Sequence, residues 1–178
     1  MKKLKLGIVL ILIILSLFLF GKYNSVSEPP KIKVFSGNTE IPNIVAKNKW
    51  DGAVYDREDT FKTIMKNTTI SDLPYIELSE EIQIEFEEKA PSSIELQDYI
   101  LCKDGSIKYI IAEKNIPTST IKLKNKKAVF KLMANPAALL SSSTSDYEAG
   151  SSLRGFRFIC KWGENECEYA FVLRSDAK

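Results

Sequence analysis

Residues 155–174 of this 178-residue chain read GFRFICKWGENECEYAFVLR, and apolar side chains recur at every second position in both halves of the stretch. Such alternation is typical of β-strands with one buried face. A two-residue turn at Gly163–Glu164, with glycine first as a type II′ turn requires, would join the halves into a hairpin with Cys160 opposite Cys167. The same register gives three more cross-strand pairs: Phe158 with Tyr169, Phe156 with Phe171, and Lys161 with Glu166. We expect this hairpin to form the centre of the core.

Alternating segments upstream of the hairpin predict further strands. They cover residues 31–35, 44–50, 82–86, 94–101, 107–111, 120–124 and 128–133. Turns at residues 103–105 and 125–126 would join the last four into two hairpins. Two segments have helical character instead: 56–66, with acidic residues in its first turn, and 135–140, with Asn135 as N-cap. Short strands with regular turns and one or two short helices in the connections predict an all-β fold, an antiparallel β-sandwich.

The strand pattern resembles that of immunoglobulin-like domains in general. This likeness is architectural: it implies two packed sheets for residues 31–178, and it implies no function. The chain departs from true immunoglobulin domains in the Cys–Trp–Cys spacing of their core, because Cys160 and Cys167 both lie within one hairpin.

The N-terminus predicts export. Residues 6–21 are uncharged, and lysines lie on both sides of them at Lys5 and Lys22. The run is longer than a typical signal-peptide core of about 7–15 residues and shorter than the ~20 residues of a comfortable spanning helix. Residues 1–22 are therefore a signal anchor or a signal peptide, followed by a proline-containing linker over 23–30. The lysines before the run predict a single-pass membrane protein with its 31–178 domain outside; cleavage near residues 25–27 would instead give a secreted protein.

Export would also place the cysteines in an oxidising compartment. In an oxidising compartment Cys160 and Cys167 can form a disulfide across the hairpin. The alternative is that both are small apolar core residues. Cys102 is then left without a partner, either as a buried thiol or, if it is exposed, as an intermolecular crosslink.

Charge and composition exclude several classes of function. The chain has no histidine, which excludes Ser-His-Asp and Cys-His catalysis and the common histidine-bearing zinc sites. The net charge of +2 comes from four lysines before residue 28; without them 21 basic residues face 23 acidic ones, a balance of −2. A slightly acidic domain argues against nucleic acid as a partner. The lysines of residues 122–131 are expected to form a solvated face.

Two groups of acidic residues are candidates for chemistry. Oxygen ligands for calcium could come from four residues near the first predicted helix: Asp51, Asp56, Glu58 and Asp59. Helix capping, however, is a sufficient explanation for Asp56, Glu58 and Asp59. Glu85 and Glu87 could form a catalytic carboxylate pair, but strand alternation places both in solvent. We therefore expect no metal site, no cofactor and no catalytic residues.

The best candidate for recognition is the serine-rich stretch of residues 141–152. A scaffold with a long polar loop often uses it for binding, and Asp146, Tyr147 and Glu148 carry its distinctive side chains. The alternative is a flexible linker. The sequence thus predicts a non-enzymatic, membrane-tethered β-sandwich that binds a protein or another component of the cell envelope. The alternative function is a secreted inhibitor or accessory factor of an extracellular enzyme.

Overall fold

Two antiparallel sheets contain most of the residues in a computed structural model that describes residues 28–56, 59–109 and 118–178. The strands are β1 (Ile32–Ser36), β2 (Thr39–Glu40), β3 (Asn43–Trp50), β4 (Ala53–Val54), β5 (Glu81–Phe86), β6 (Ser93–Ile100), β7 (Thr118–Thr120), β8 (Leu123–Lys124), β9 (Lys127–Lys131), β10 (Ser152–Trp162) and β11 (Asn165–Ser175). The first sheet has the order β2-β1-β5-β9-β8 and the second β4-β3-β11-β10-β6-β7. The prediction of an all-β, sandwich-like fold is confirmed.

The predicted anchor, residues 1–22, and the first part of the linker lie outside the described residues. In the part of the chain that is described, no helix has both the length and the apolar character needed to cross a membrane. Its α-helix, α1, runs over Thr60–Lys66, with Asp59 as N-cap accepting a hydrogen bond from Lys62 N at 3.4 Å. Single 3₁₀ turns occur at Ile70–Asp72, Pro136–Leu140 and Thr144–Tyr147.

The C-terminal hairpin has the predicted register throughout. Cys160 lies opposite Cys167, and the three further predicted pairs are also formed. Gly163 has a φ of +62°, the left-handed conformation that a glycine adopts without a steric penalty. The hairpin supplies the two central strands of the second sheet, because β11 pairs with β3 and β10 pairs with β6.

The main core lies between the two sheets and is built around the aromatic face of the hairpin. Phe171 stacks against Phe156 and Phe158 at ring-centroid distances of 5.1 and 5.4 Å. Cys160 and Cys167 are fully buried in this core as free thiols. Burial raises the pKa of both, that of Cys167 to about 12. Their pairing as a disulfide stays a prediction.

A second, smaller core covers the other face of the same hairpin. Helix α1 packs there through Phe61 and Met65, against Leu153, Ala170 and Val172 of β10 and β11. The two central strands are therefore buried on both faces along most of their length, although charged residues alternate with apolar ones in their sequence.

Charged side chains within these cores are paired. Arg154 is 1% exposed; its Nε donates to Asp98 Oδ1 at 2.9 Å, and its Nη2 donates to Met133 O at 3.0 Å. On the other face, Arg157 Nε lies 3.2 Å from Glu168 Oε1. Burial of a charge is tolerated only with such partners.

Two sequence predictions need correction. Residues 94–101 and 107–111 meet only next to their turn: Leu101 and Ile107 form an isolated antiparallel bridge and Lys108 N donates to Ile100 O at 2.8 Å, whereas the strand partners of β6 are β10 and β7. Residues 110–111 of the predicted second strand lie outside the described residues. The predicted helix over 56–66 begins only at Thr60. In contrast, the hairpin that turns at Asn125–Lys126 is confirmed, although β8 is shorter than predicted, and the lysines of residues 122–131 are exposed.

The two ends of the sandwich differ in what they carry. We call the end with the Gly163–Glu164 turn the tip and the opposite end, with Ser152 and Ser175, the base. The linker reaches the domain at the tip, where the buried Tyr169 hydroxyl donates to Pro30 O and Lys47 Nζ lies 2.6 Å from Glu28 Oε2. The serine-rich stretch lies at the base.

Candidate functional site

The structure brings Asp146, Tyr147 and Glu148 together in and beside the 3₁₀ turn Thr144–Tyr147. The carboxylate of Asp146 accepts hydrogen bonds from Lys108 Nζ and Ser141 Oγ. These two donors hold the pKa of Asp146 below its usual range, so the side chain is charged at neutral pH. Asp146 therefore links the serine-rich loop to Lys108 and to its own first residue, Ser141.

Tyr147 also has a structural contact. Its hydroxyl donates to Ser141 O at 2.8 Å, and its ring lies 5.2 Å below the Lys178 ammonium. Glu148 is exposed. Two of the three predicted binding residues thus hold the serine-rich loop in shape, and recognition through this loop stays a prediction.

A larger concave surface lies at the tip. It is a groove of about 540 Å³ between the β3–β4 hairpin and the β10–β11 turn, within the usual ~300–1,000 Å³ of small-molecule sites. Its lining residues come from both hairpins: Asn48, Lys49, Val54, Tyr55, Lys161, Gly163, Glu164, Asn165 and Glu166. We call this feature the tip groove. Asp51 N donates to Asn165 Oδ1 at 3.1 Å and so ties the two hairpins together beside it.

The charges in the tip groove are paired. Lys49 Nζ lies 3.0 Å from Glu164 Oε2, and Lys161 Nζ lies 3.3 Å from Glu166 Oε2. Lys49 lowers the pKa of Glu164, so this carboxylate is ionised at neutral pH and cannot serve as a proton donor there. With two lysines and two glutamates, the lining has no net charge.

Asn48 is the unusual polar group of the tip groove. Its Nδ2 donates to Glu166 Oε1 at 3.1 Å, while its Oδ1 is buried and accepts no hydrogen bond from any described residue. The residue is 9% exposed. A buried acceptor without a donor costs about 1–3 kcal/mol, so its persistence needs an explanation.

A β-bulge places Asn48 in this position. Lys47 pairs with Cys167 and Lys49 with Glu166, so Asn48 is an extra residue in β3 without a partner in β11. Bulges redirect side chains and are over-represented beside functional sites. The bulge thus explains how a residue at a sheet position comes to line a groove.

Apolar side chains form one wall of the tip groove. Val54 is 80% exposed and Tyr55 is 42% exposed. Tyr55 is held in place because its N–H donates to Asn48 O at 3.0 Å. Its ring lies 5.8 Å from Lys47 Nζ, and Glu28 raises the pKa of Lys47 by accepting a hydrogen bond from it. The wall therefore adjoins the place where the linker meets the domain.

Sequence reasoning missed the tip groove. The turns at Asp51–Gly52 and Gly163–Glu164 were both predictable, but they are more than a hundred positions apart and no local motif shows that they meet. The one available signal was the charge pattern of the two turns, with Lys49 near one and Glu164 in the other.

Two members of the predicted acidic groups have structural roles. Asp59 caps α1, and Glu85 accepts a hydrogen bond from Lys127 on the solvated face of the first sheet; Glu58 lies outside the described residues. Within residues 28–56, 59–109 and 118–178, no three side chains of the histidine, cysteine, aspartate or glutamate type are grouped so that they could hold a metal ion.

Comparison with known proteins gives no family for this chain: no protein-family model matches it, and neither does any curated protein or solved structure.

Proposed function

We propose that this protein is a non-enzymatic binding module of the cell envelope, and that the tip groove is its ligand site. The observation that carries the proposal is Asn48, a buried acceptor without a described donor, held in the groove by a β-bulge. Because Oδ1 is itself covered, a ligand hydroxyl or N–H group would supply the missing hydrogen bond once the Asn48 amide turns towards the groove. A groove built to hold a ligand tolerates this cost in the free protein.

The location is part of the same proposal. The apolar run of residues 6–21 would tether the chain to the membrane, and the lysines before it would keep the domain outside. An oxidising compartment would then allow Cys160 and Cys167, which lie directly opposite each other, to form the predicted disulfide. An immunoglobulin-like arrangement of the two sheets is proposed on the strand pattern alone.

Binding fits the groove better than catalysis does. Each carboxylate in its lining is ion-paired with a lysine, and Glu164 is held in its charged form. A general acid needs a proton near neutral pH, and a hydrolytic pair needs two carboxyl groups in different protonation states. Neither condition is supported by these contacts.

The alternative is a secreted inhibitor or accessory factor of an extracellular enzyme. Glu28 and Pro30, which follow the predicted cleavage region at residues 25–27, both contact the domain. Cleavage after Ser27 would keep these two contacts in the released protein.

The proposal can be tested with a photoreactive benzoylphenylalanine at position 55 of the full-length chain, irradiated in intact cells. The matched control carries the same group in place of Tyr75, a tyrosine of similar exposure (39%) at the base. An adduct of discrete mass at position 55 and none at position 75 would support a ligand in the tip groove. Equal labelling at both positions, or none at position 55, would overturn it.

The intact mass of the labelled species separates the two locations. A full-length protein in the membrane fraction supports the tethered module. A species that begins near Glu28 in the medium would replace it with the secreted factor. The same spectra, with and without reductant, show whether a disulfide is present.

A further inference from the structure

We propose that the ligand of the tip groove is a neutral, hydroxyl-rich molecule, a saccharide. This inference rests on the proposed function, and it concerns the chemistry of the ligand. Three features of the groove support it: its charge balance, its mixture of donors and acceptors, and its apolar wall.

The charge balance argues against an ionic ligand. Lys49 is neutralised by Glu164 and Lys161 by Glu166, at 3.0 and 3.3 Å. A carboxylate or phosphate would meet both lysines already paired, and it would be repelled by two nearby glutamates. A cationic ligand would find both glutamates already paired and would be repelled by the two lysines. A neutral ligand is repelled by neither pair of charges.

The polar groups in the lining suit hydroxyls. Asn48 Oδ1 lacks a donor, the glutamate carboxyl groups have spare acceptor positions, and the lysines have spare N–H donors. A hydroxyl both donates and accepts, so a ligand with several of them can satisfy this mixture in one orientation. Charged groups that receive hydrogen bonds from neutral hydroxyls form the stronger class of hydrogen bond.

The wall completes the match. Tyr55 presents an aromatic ring that is 42% exposed, next to Val54, which is 80% exposed. One face of a pyranose ring carries mainly C–H bonds, and this face can pack against the aromatic ring of Tyr55. The hydroxyls at the edge of the pyranose ring can then reach the polar groups of the lining. Tyr55 offers both an apolar ring and a polar hydroxyl, a combination suited to a partly wet site.

An extended peptide is the competing ligand, since its N–H groups could also reach Asn48. Peptides are commonly bound by addition to a sheet edge. Here β3 is already paired: Tyr55 N donates to Asn48 O, and β4 pairs with β3 at Lys49 and Trp50, so the sheet edge beside the groove is the two-residue β4. So short an edge provides few backbone hydrogen bonds, and side chains must provide most of the recognition.

The test uses the full-length chain in phosphatidylcholine nanodiscs and isothermal titration calorimetry. Three neutral oligosaccharides (maltohexaose, cellohexaose and hexa-N-acetylchitohexaose) are titrated in solution, and a neutral glycosyl diacylglycerol is supplied in the nanodisc. We expect at least one probe to bind. Tyr55→Ala should weaken its affinity at least about 10-fold, whereas Tyr75→Ala should change that affinity less than about 2-fold. Binding of a soluble probe identifies a free glycan as the source; binding of the glycolipid alone identifies a headgroup.

Charge provides a second test. Glu164→Gln leaves Lys49 without its carboxylate and gives the lining a charge of +1, at a side chain that is 91% exposed. The variant should bind an anionic polysaccharide more tightly than the unaltered protein does, whereas the affinity of the unaltered protein for the neutral probe should hardly depend on salt. Stronger binding of an anionic polysaccharide to the unaltered protein would overturn the assignment of a neutral ligand.

The outcomes separate this inference from the proposed function. Neutral hexapeptides that bind with the same Tyr55 dependence, with no saccharide bound, would refute the saccharide and leave the groove as a binding site. Saccharide binding that Tyr55→Ala leaves unchanged would place the sugar elsewhere. If no probe binds and position 55 yields no adduct in cells, both proposals are wrong.

Discussion

The contact between α1 and the hairpin predicts a specific cost for Gly155→Ala. A Cβ at Gly155 would lie 2.8 Å from Leu101 Cδ1 and 2.9 Å from Phe61 Cε1, whereas ordinary contacts lie at 3.4–4 Å. Both neighbours are buried, Phe61 at 1% and Leu101 at 3% exposure. Gly155 is not among the residues with positive φ, so its backbone accepts alanine and the effect isolates packing.

The magnitude follows from two opposing terms. Overpacking a filled core costs about 1–3 kcal/mol. Removing a glycine from a strand restores about 0.4–1 kcal/mol by restricting the unfolded chain. We therefore expect a net loss of about 1–2 kcal/mol, which is roughly 2–8 °C in Tm for a domain of this size. Equilibrium unfolding in urea, followed by tryptophan fluorescence in micelles, should show a lower midpoint with an unchanged slope.

A double-mutant cycle tests the mechanism. Phe61→Leu shortens the side chain that a new Cβ would meet, so Gly155→Ala should cost at least about 0.5 kcal/mol less in that background. A neutral or stabilising Gly155→Ala would refute the reasoning, because it would mean that Phe61 and Leu101 can move aside without cost.

Three further outcomes are expected. Asp98→Ala leaves buried Arg154 without its carboxylate and should lower the free energy of unfolding by about 3–5 kcal/mol in urea titrations; a loss below about 1 kcal/mol would contradict this. In the reduced native protein, iodoacetamide at pH 8 should modify half-buried Cys102 well before Cys160 or Cys167, as peptide mass mapping would show; equal rates would contradict their burial. Burial raises the pKa of Cys167 from 9.0 to about 12, so the reduced protein should lose stability between about pH 9 and 12, where the unfolded thiol ionises first; a disulfide-bonded form should lack this contribution.

The hairpin was predictable from the sequence because its signals agree. Alternation, a glycine in the turn and the paired cysteines all require the register that the structure has. The solvated lysine face of residues 122–131 followed from alternation in the same way. The cap at Asn135, whose Oδ1 accepts from Ala137 N at 2.9 Å, followed from residue type alone.

The remaining features depend on contacts between distant segments. Alternation puts Arg157 and Glu168 on the face opposite the aromatic side chains, but it does not show that α1 covers that face, where Thr60 Oγ1 donates to Glu168 Oε1 at 3.0 Å. Apolar residues such as Ala170 and Val172 on the supposedly outer face were the signal that something packs there. The tip groove depends on a single bulged residue, Asn48, which propensity does not reveal.

The position of the central hairpin in the chain also has a consequence for biosynthesis. Strands β10 and β11 are the last in sequence, yet β3 and β6 both pair with them and α1 packs on them. Until residue 175 has been made, β3 and β6 lack their central partners and neither core can close. Contacts between segments so far apart in sequence also form slowly.

A growing chain is therefore expected to stay largely unfolded until both strands of the hairpin have been synthesised. That is the state in which a polypeptide can pass through a narrow translocation channel. If the chain is exported as proposed, the late hairpin would delay folding, and the meeting of Cys160 with Cys167, until the domain has crossed the membrane.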